Sequence, residues 1–302
     1  MALGKSAIEL LLHLRHAELI AKNDRVVEIG AQQLNNSFLR AKDELATLGR
    51  LFGVEAPLLI AEPPLTGLLE GGAEDLAATA PPAREFWTWL GSDYASIDID
   101  GSPGSIPLDL NYDSVPNEAR GQFDLVTNFG TTEHVANQLN AFKVIHDLAT
   151  PGGLFIHELP TQGYFNHGLF NYNFKFFWML ARSNNYKVID TAFFAGDEYI
   201  IPDNIINFLA EFGVGNRELP NGFRSMDAGL LIVLQKQHDI PYVPPLDVPG
   251  ARTENEILKQ RYWTVFAPEG LMQLPVYKRP ANRRKSKWFR FRFPKRVPKA
   301  EG

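Results

Sequence analysis

Two short apolar runs, Arg25-Val-Val-Glu-Ile-Gly-Ala31 and Tyr94-Ala-Ser-Ile-Asp-Ile-Asp100, constrain this chain more than any other feature. Each runs straight into a glycine or an acid, which is how a buried parallel strand arrives at a ligand crevice. The first supplies a tight turn at Gly30. The second delivers a carboxylate, Asp98, where a ribose would offer two hydroxyls. Gln122-Phe-Asp-Leu-Val-Thr-Asn128 and Gly152-Gly-Leu-Phe-Ile-His-Glu158 repeat the pattern. Strand ends converging on one edge of an open α/β sheet are where such folds bind ligands. The expected ligand is a nucleoside cofactor.

The remaining sequence alternates in the same rhythm. Residues 5–22 read as an amphipathic helix carrying Ile8, Leu11, Leu12 and Leu14, and residues 37–52 as the helix after the first strand. Residues 54–90 interrupt the pattern with eight prolines and glycines and a short helix near 84–90 that packs Phe86, Trp87 and Trp89. An acid that reads a ribose usually lies about 20 positions past the glycine turn, so this insertion must loop out to let Asp98 follow Gly30. Between Asp98 and Asp109 there is no room for a crossover helix, and 105–110 is expected to be extended at most. Strand 123–128, helix 136–149, a Pro151-Gly-Gly turn, strand 153–159, helix 173–184 and strand 186–194 follow. A second insertion spans 195–227, and Ala228-Gly-Leu-Leu-Ile-Val-Leu234 closes the sheet. The fold class expected is α/β: a Rossmann-like, doubly wound, mostly parallel seven-stranded sheet with helices on both faces. The organisation expected is an N-terminal helix over 1–21, a main domain over 22–240 and a Pro-rich, then basic, extension over 241–302.

Composition sets outer limits. A chain of 302 residues, 45% hydrophobic and 22% charged, is ordinary for one large globular domain with embellishments. Having no cysteine, it excludes disulfides, thiolate metal sites and cysteine nucleophiles. The run from Ile8 to Leu14 is too short to cross a bilayer and lacks the cationic start and small-residue cleavage site of a secretory signal; the cytoplasm is the expected compartment. Residues 278–299 carry eleven Lys and Arg and no acid, leaving the body near −15 although the whole chain is −5. These are two charge regimes in one chain.

Val-Val-Glu28-Ile-Gly30, Ser-Ile-Asp98, Phe-Asp-Leu-Val-Thr-Asn128, Glu133-His134-Val and Leu148-Ala-Thr-Pro151-Gly-Gly together resemble the class I S-adenosylmethionine-dependent methyltransferases. The likeness covers roughly residues 22–235, and the stretch from Phe123 to Phe155 is most similar to the ubiquinone-biosynthesis type. Gln32 and Leu34 stand where the family usually has further glycines. The resemblance implies S-adenosyl-L-methionine as cofactor. It implies that Gly30, Ala31 and Gln32 border its methionine part and that Glu28 holds its ammonium through the turn or through water. Asp98, with Ile99 beside it, would take both ribose hydroxyls, in competition with Asp100. Asp109 and Leu110 would sit at the adenine, and Asn128 beneath the sulfonium.

Methyl transfer from a sulfonium needs alignment first and a general base only for a hydroxyl acceptor. His134, His157 and His167 are the candidate bases, because they lie at strand ends or just after them. His146, inside a helix, reads as surface or core. The segment Thr161 to Phe174 mixes aromatics, amides and His167, which suits a small ring-like or sugar-containing acceptor such as a glycan precursor. Glu133, His134 and His167 resemble the magnesium set of small-RNA 2′-O-methyltransferases, but Gly130 replaces its first glutamate, so no metal is assigned. The basic tail interleaves Trp288, Phe289, Phe291 and Phe293 with cations. That pattern fits a peripheral anionic membrane surface better than nucleic acid. A non-catalytic scaffold using the insertions and tail as partner surfaces is the alternative reading. A nicotinamide-dependent oxidoreductase is disfavoured, since Gly30-Ala-Gln-Gln-Leu is not Gly-x-Gly-x-x-Gly.

Overall fold

The computed structural model describes residues 2–59, 80–99, 104–164, 166–195, 198–200, 228–247 and 252–276. In chain order, β1 (Ala2–Leu3), α1 (Lys5–His16), β2 (Arg25–Ile29), β3 (Gln33–Leu34), α2 (Asn36–Arg40), α3 (Lys42–Leu51) and α4 (Ala83–Trp89) form the first half. β4 (Asp93–Ile97), β5 (Ser105–Ile106), β6 (Phe123–Phe129), α5 (Gln138–Leu148), β7 (Ala149–Gln162), α6 (Phe174–Asn184), β8 (Lys187–Ala195), β9 (Glu198–Ile200) and β10 (Ala228–Gln235) complete the core. Short helices α7 (Glu256–Arg261), α8 (Trp263–Phe266) and α9 (Glu269–Met272) follow.

The main sheet runs β5-β4-β2-β6-β7-β10-β8-β9. The five strands from β5 to β7 are parallel, and β10 is antiparallel to both its neighbours. From β2 the chain first builds outward through β4 and β5, then returns to build the other way through β6 and β7. The carboxyl ends of β2 and β6 therefore flank the topological switch point, where open α/β sheets bind ligands. This is the doubly wound, mostly parallel sheet expected from the sequence, with the short hairpin strand β9 added at one edge.

Two apolar layers cover the sheet because strand residues alternate between faces. On β10, Leu230, Ile232 and Leu234 enter the layer with α5 and α6, whereas Leu231 and Val233 enter the layer with α1, α3 and α4. On β2, Val27 and Ile29 take the first layer and Val26 the second. Glu28 shares the second face with Val26, and that fixes its role below.

Three boundaries differ from the sequence reading, each for a local reason. The helix expected over 5–22 ends at His16, with Glu18 left-handed at φ 56°. The helix expected over 37–52 breaks at Ala41, whose ψ of 52° separates α2 from α3. Strand β7 begins at Ala149, before Pro151-Gly-Gly, and bulges there: Phe123 pairs with Ala149 but Leu125 with Leu154. Gly152 at φ 84° takes the bend. The parallel pair β4–β5 joins only two residues of each strand, so the chain between them must travel back only about 7 Å.

Beyond β10 the chain lies against α6. Asn184 donates to Val243 O at 2.8 Å and accepts from Val243 N–H at 2.9 Å, Thr264 donates to Ser183 O, and Val265 is buried. The first insertion is described only at its two ends, and almost all of the second, with the whole basic tail 278–299, lies outside the described residues.

Candidate active site at the sheet switch point

A cleft of about 430 Å³ opens at the carboxyl ends of β2, β4 and β6. That volume lies within the range of small-molecule sites, roughly 300–1,000 Å³. Gly30, Ala31, Gln32, Asp98, Ile99, Asp109 and Leu110 line it, as does His134. Gly130 and Val135 also line it, as do Thr131, Leu108 and Asn111, which were not singled out in the sequence.

The glycine turn is built tightly. Gly30 has φ 76°, and a Cβ there would lie 2.4 Å from Thr131 Oγ1. No side chain fits while Thr131 holds its contact with Ile29 O. Gln32 folds its amide back beneath the turn, donating to Gly30 O at 3.3 Å and Thr131 Oγ1 at 3.1 Å. Its side chain thus braces the loop, and its backbone borders the cleft.

The acids divide by face. Asp98 lies just past the end of β4 and accepts from Ala31 N–H at 2.8 Å, tying the β2 and β4 loops together at the cleft wall. Asp109 accepts from Asn111 N–H at 2.8 Å, and its own N–H donates to Asp113 at 2.8 Å, so it organises the next loop. Asn140, in the first turn of α5, clamps that loop by donating to Leu110 O at 2.9 Å and Asp113 O at 2.8 Å. Asp100 lies outside the described residues. Glu28 points away from the cleft and is fully buried under α4. There it accepts from Trp87 Nε1 at 2.8 Å, Tyr94 O–H at 2.8 Å and Gln32 N–H at 3.0 Å. Burial nonetheless pushes its carboxyl up to about 7. Glu28 reaches the cleft only through the Gln32 backbone.

Asn128 is also buried, donating to Thr132 Oγ1 at 2.9 Å and lying 3.2 Å from His157 Nδ1. It supports the turn over 130–135 from below. Tyr172 completes that support: its hydroxyl donates to Gln138 Oε1 at 2.6 Å and lies 2.9 Å from Thr132 Oγ1.

The three candidate bases are not equivalent. His157 sits inside the α5–α6 layer among Phe142, Phe155 and Phe177, does not line the cleft, and is lowered to about 3 by burial. His146 is likewise buried, between Tyr186 and Ile240 O. His134 lines the cleft and is about half exposed. Burial first, and then the neighbouring His167, lower its pKa from the ordinary histidine value. His167 stands outside the cleft lining, its ring 5.1 Å from that of His134. The two imidazoles share a neighbour, Glu133, which is buried.

The profile of the methyltransferase domain family matches residues 7–190, well over half of the chain. The chain belongs to that family. Its family and fold make it a class I S-adenosylmethionine-dependent methyltransferase. Comparison with curated proteins finds no match. Among solved structures, the chain is similar to the 1,6-didemethyltoxoflavin-N1-methyltransferase of Burkholderia thailandensis at 12% identity and a TM-score of 0.38, over 76% of this chain and 77% of that one. It is similar to an S-adenosylmethionine-dependent methyltransferase of Mesorhizobium loti at 14% identity and a TM-score of 0.35, over 77% and 98% of the two chains. It is similar to phosphoethanolamine N-methyltransferase 2 of Haemonchus contortus at 12% identity and a TM-score of 0.36, over 76% of this chain and 52% of that one. The chain thus spans about half the length of the last. These likenesses say nothing about the acceptor.

Proposed function

We propose that the chain transfers a methyl group from S-adenosylmethionine to a small-molecule or sugar-containing acceptor at the switch-point cleft. The observation that carries this reading is the cleft itself, which gathers the glycine turn, Asp98, the Asp109–Leu110 loop and His134 around one volume. Its donor set fits the cofactor: carboxylates for hydroxyls and an amine, apolar Ile99, Leu108 and Leu110 for a flat base, and backbone at Gly30–Gln32 for the amino-acid end. Asp98 takes the ribose hydroxyls, and Asp109 and Leu110 hold the adenine. Glu28 and Asn128 act from beneath, as positioning residues for the Gln32 and Thr132 backbones.

When bound, S-adenosylmethionine supplies a methyl already activated by positive sulfur. The protein's part is to align the acceptor with that methyl, which makes up most of the catalysis. For a hydroxyl acceptor, His134, neutral at physiological pH, is positioned to take the proton released as the new bond forms. His157 serves packing. Leu169 and Phe170 are exposed beside this region and offer the acceptor an apolar edge. The basic tail gives reversible attachment to an anionic surface, with the acidic body held away from it.

A scaffold reading competes because both oxygens of Glu28 accept hydrogen bonds from within the protein and the Gln32 amide nitrogen is tied into the turn. Methyl-labelled S-adenosylmethionine, incubated with the chain and a size-fractionated metabolite extract, tests both. Label entering the small-molecule fraction, and falling with His134→Ala, supports the proposal. Label entering only protein or nucleic acid refutes the acceptor class.

A further inference from the structure

Glu133 is the most anomalous buried side chain among the described residues. It is 0% exposed, and neither carboxylate oxygen has a hydrogen-bond partner. Burying an ionised carboxylate without a counter-charge or donors is strongly unfavourable. Protonating it does not resolve the problem, because the acid O–H also finds no acceptor. What faces it is a pair of imidazoles: His134 Nε2 lies 3.9 Å and His167 Nε2 3.8 Å from the same oxygen, Oε1. One ligand atom from each of the three residues falls within 4.8 Å of the others.

The backbone is arranged to hold this triad. Glu133 and His134 lie in a single 3-10 turn, Thr132–His134, supported by Asn128 and Tyr172. The carbonyl of Glu133 accepts from Leu169 N–H at 2.7 Å and Phe170 N–H at 3.1 Å, strapping the His167 segment across the turn. Gly168 permits the close approach, since a Cβ there would lie 2.9 Å from Glu133 Cγ. Tyr164 at φ 51° and Asn166 at φ 61° adopt left-handed backbone on either side of position 165, bringing His167 back over the turn.

We infer that Glu133, His134 and His167 form a binding site for one divalent transition-metal ion, zinc-like in its preference for imidazole, at the edge of the cofactor cleft. Two histidines and one carboxylate are a known ligand set for catalytic zinc, with an open coordination position. Zinc–nitrogen bonds of 2.0–2.1 Å in tetrahedral geometry separate ligand atoms by about 3.4 Å, so the two Glu133–imidazole edges need to shorten by roughly half an ångström and the edge between the imidazoles, within 4.8 Å, by at most about 1.4 Å. The half-exposed His134 and His167 side chains can rotate that far. Magnesium and calcium prefer oxygen ligands, of which this triad offers one, Gly130 standing where the small-RNA enzymes have a further glutamate, so imidazole-preferring ions are favoured over them. Because His134 also lines the cleft, the ion's open positions would take an oxygen ligand of the acceptor; with His134 Nε2 engaged, the ion's Lewis acidity would replace His134 in easing loss of the acceptor's proton, and this step alone rests on the methyl-transfer reading.

The test uses the full chain, freed of metal by chelator dialysis and titrated with cobalt(II), which reports imidazole coordination through its visible spectrum, and then with zinc in competition. One equivalent is expected to bind, zinc should displace it, and magnesium should not. His167→Ala, a substitution at a partly exposed position, and Glu133→Gln should each weaken binding by at least about 100-fold, since loss of even outer-shell partners costs 10–100-fold. A cobalt spectrum that survives both substitutions, as it would on the exposed pair His13 and His16, overturns the site, and so does the absence of any spectrum. S-adenosylhomocysteine binding is measured separately on the same samples. Its failure beside intact cobalt binding would refute the methyl-transfer reading and leave the metal site standing.

Discussion

A carboxylate on a strand serves whichever face its position in the alternation assigns, and this separates Glu28 from Asp98. Glu28 lies one residue from Val27 and Ile29 and so faces the α4 layer, where Trp87 and Tyr94 donate to it. Asp98 lies past the last paired residue of β4 and escapes the alternation into the cleft. Both were legible as strand-end acids. The sequence reading left Glu28 at the cofactor's ammonium; its buried partners Trp87 and Tyr94 lie 59 and 66 residues away, and no local pattern joins them. Burial raises Glu28 to about 7 from the ordinary 4.5. The folded state therefore binds its proton more tightly than the unfolded state. The stabilisation is complete below about pH 4.5 and is lost as pH rises through about 7. In urea melts, wild type should lose on the order of 3 kcal/mol more than Glu28→Gln between those limits, at 1.36 kcal/mol per unit. Parallel pH profiles would contradict this.

At the scale of elements, the cleft depends on two loops pinned by helix α5. Asparagines at its start serve twice: Asn137 caps the helix by accepting from Asn140 N–H at 3.2 Å and also donates to Asn111 O at 2.7 Å. Asn140 clamps the Leu110 and Asp113 carbonyls. The sequence predicted the helix but not the clamp, because side-chain-to-carbonyl bonds across 27–30 residues leave no periodic trace. Asn140→Ala removes two hydrogen bonds at about 1 kcal/mol each. It should weaken S-adenosylhomocysteine roughly tenfold with an unchanged far-ultraviolet circular dichroism spectrum. Unaltered affinity in calorimetry would show that the loop holds its shape without α5. The 3-10 turn at Thr132–His134 was likewise hidden, since three residues carry too little pattern to be read.

For the whole molecule, the order of strands followed from apolar runs alternating with helical ones, and the sheet switch point followed from that order. Less legible was the burial of His157, because a histidine at a strand end looks the same whether its ring faces solvent or Phe142 and Phe177. Charge is the other property of the whole. No helix among the described residues is long and apolar enough to cross a membrane. The eleven cations of residues 278–299 offset a body near −15. At about 1 kcal/mol per cation near an anionic surface, eleven cations would be ample for the reversible attachment proposed above. Deleting residues 278–302 should abolish sedimentation with phosphatidylserine vesicles at low salt while leaving S-adenosylhomocysteine affinity intact. Equal sedimentation of the truncated chain would place membrane contact elsewhere.

The central claim is that the switch-point cleft binds S-adenosylmethionine with Asp98 on its ribose. Isothermal calorimetry of S-adenosylhomocysteine against wild type and Asp98→Ala addresses it most directly. The account predicts one binding site in wild type and an affinity lower by about 1–3 kcal/mol in the variant, because the buried ribose hydroxyls lose their acceptor. Binding of equal strength to both proteins, or to neither, would contradict it.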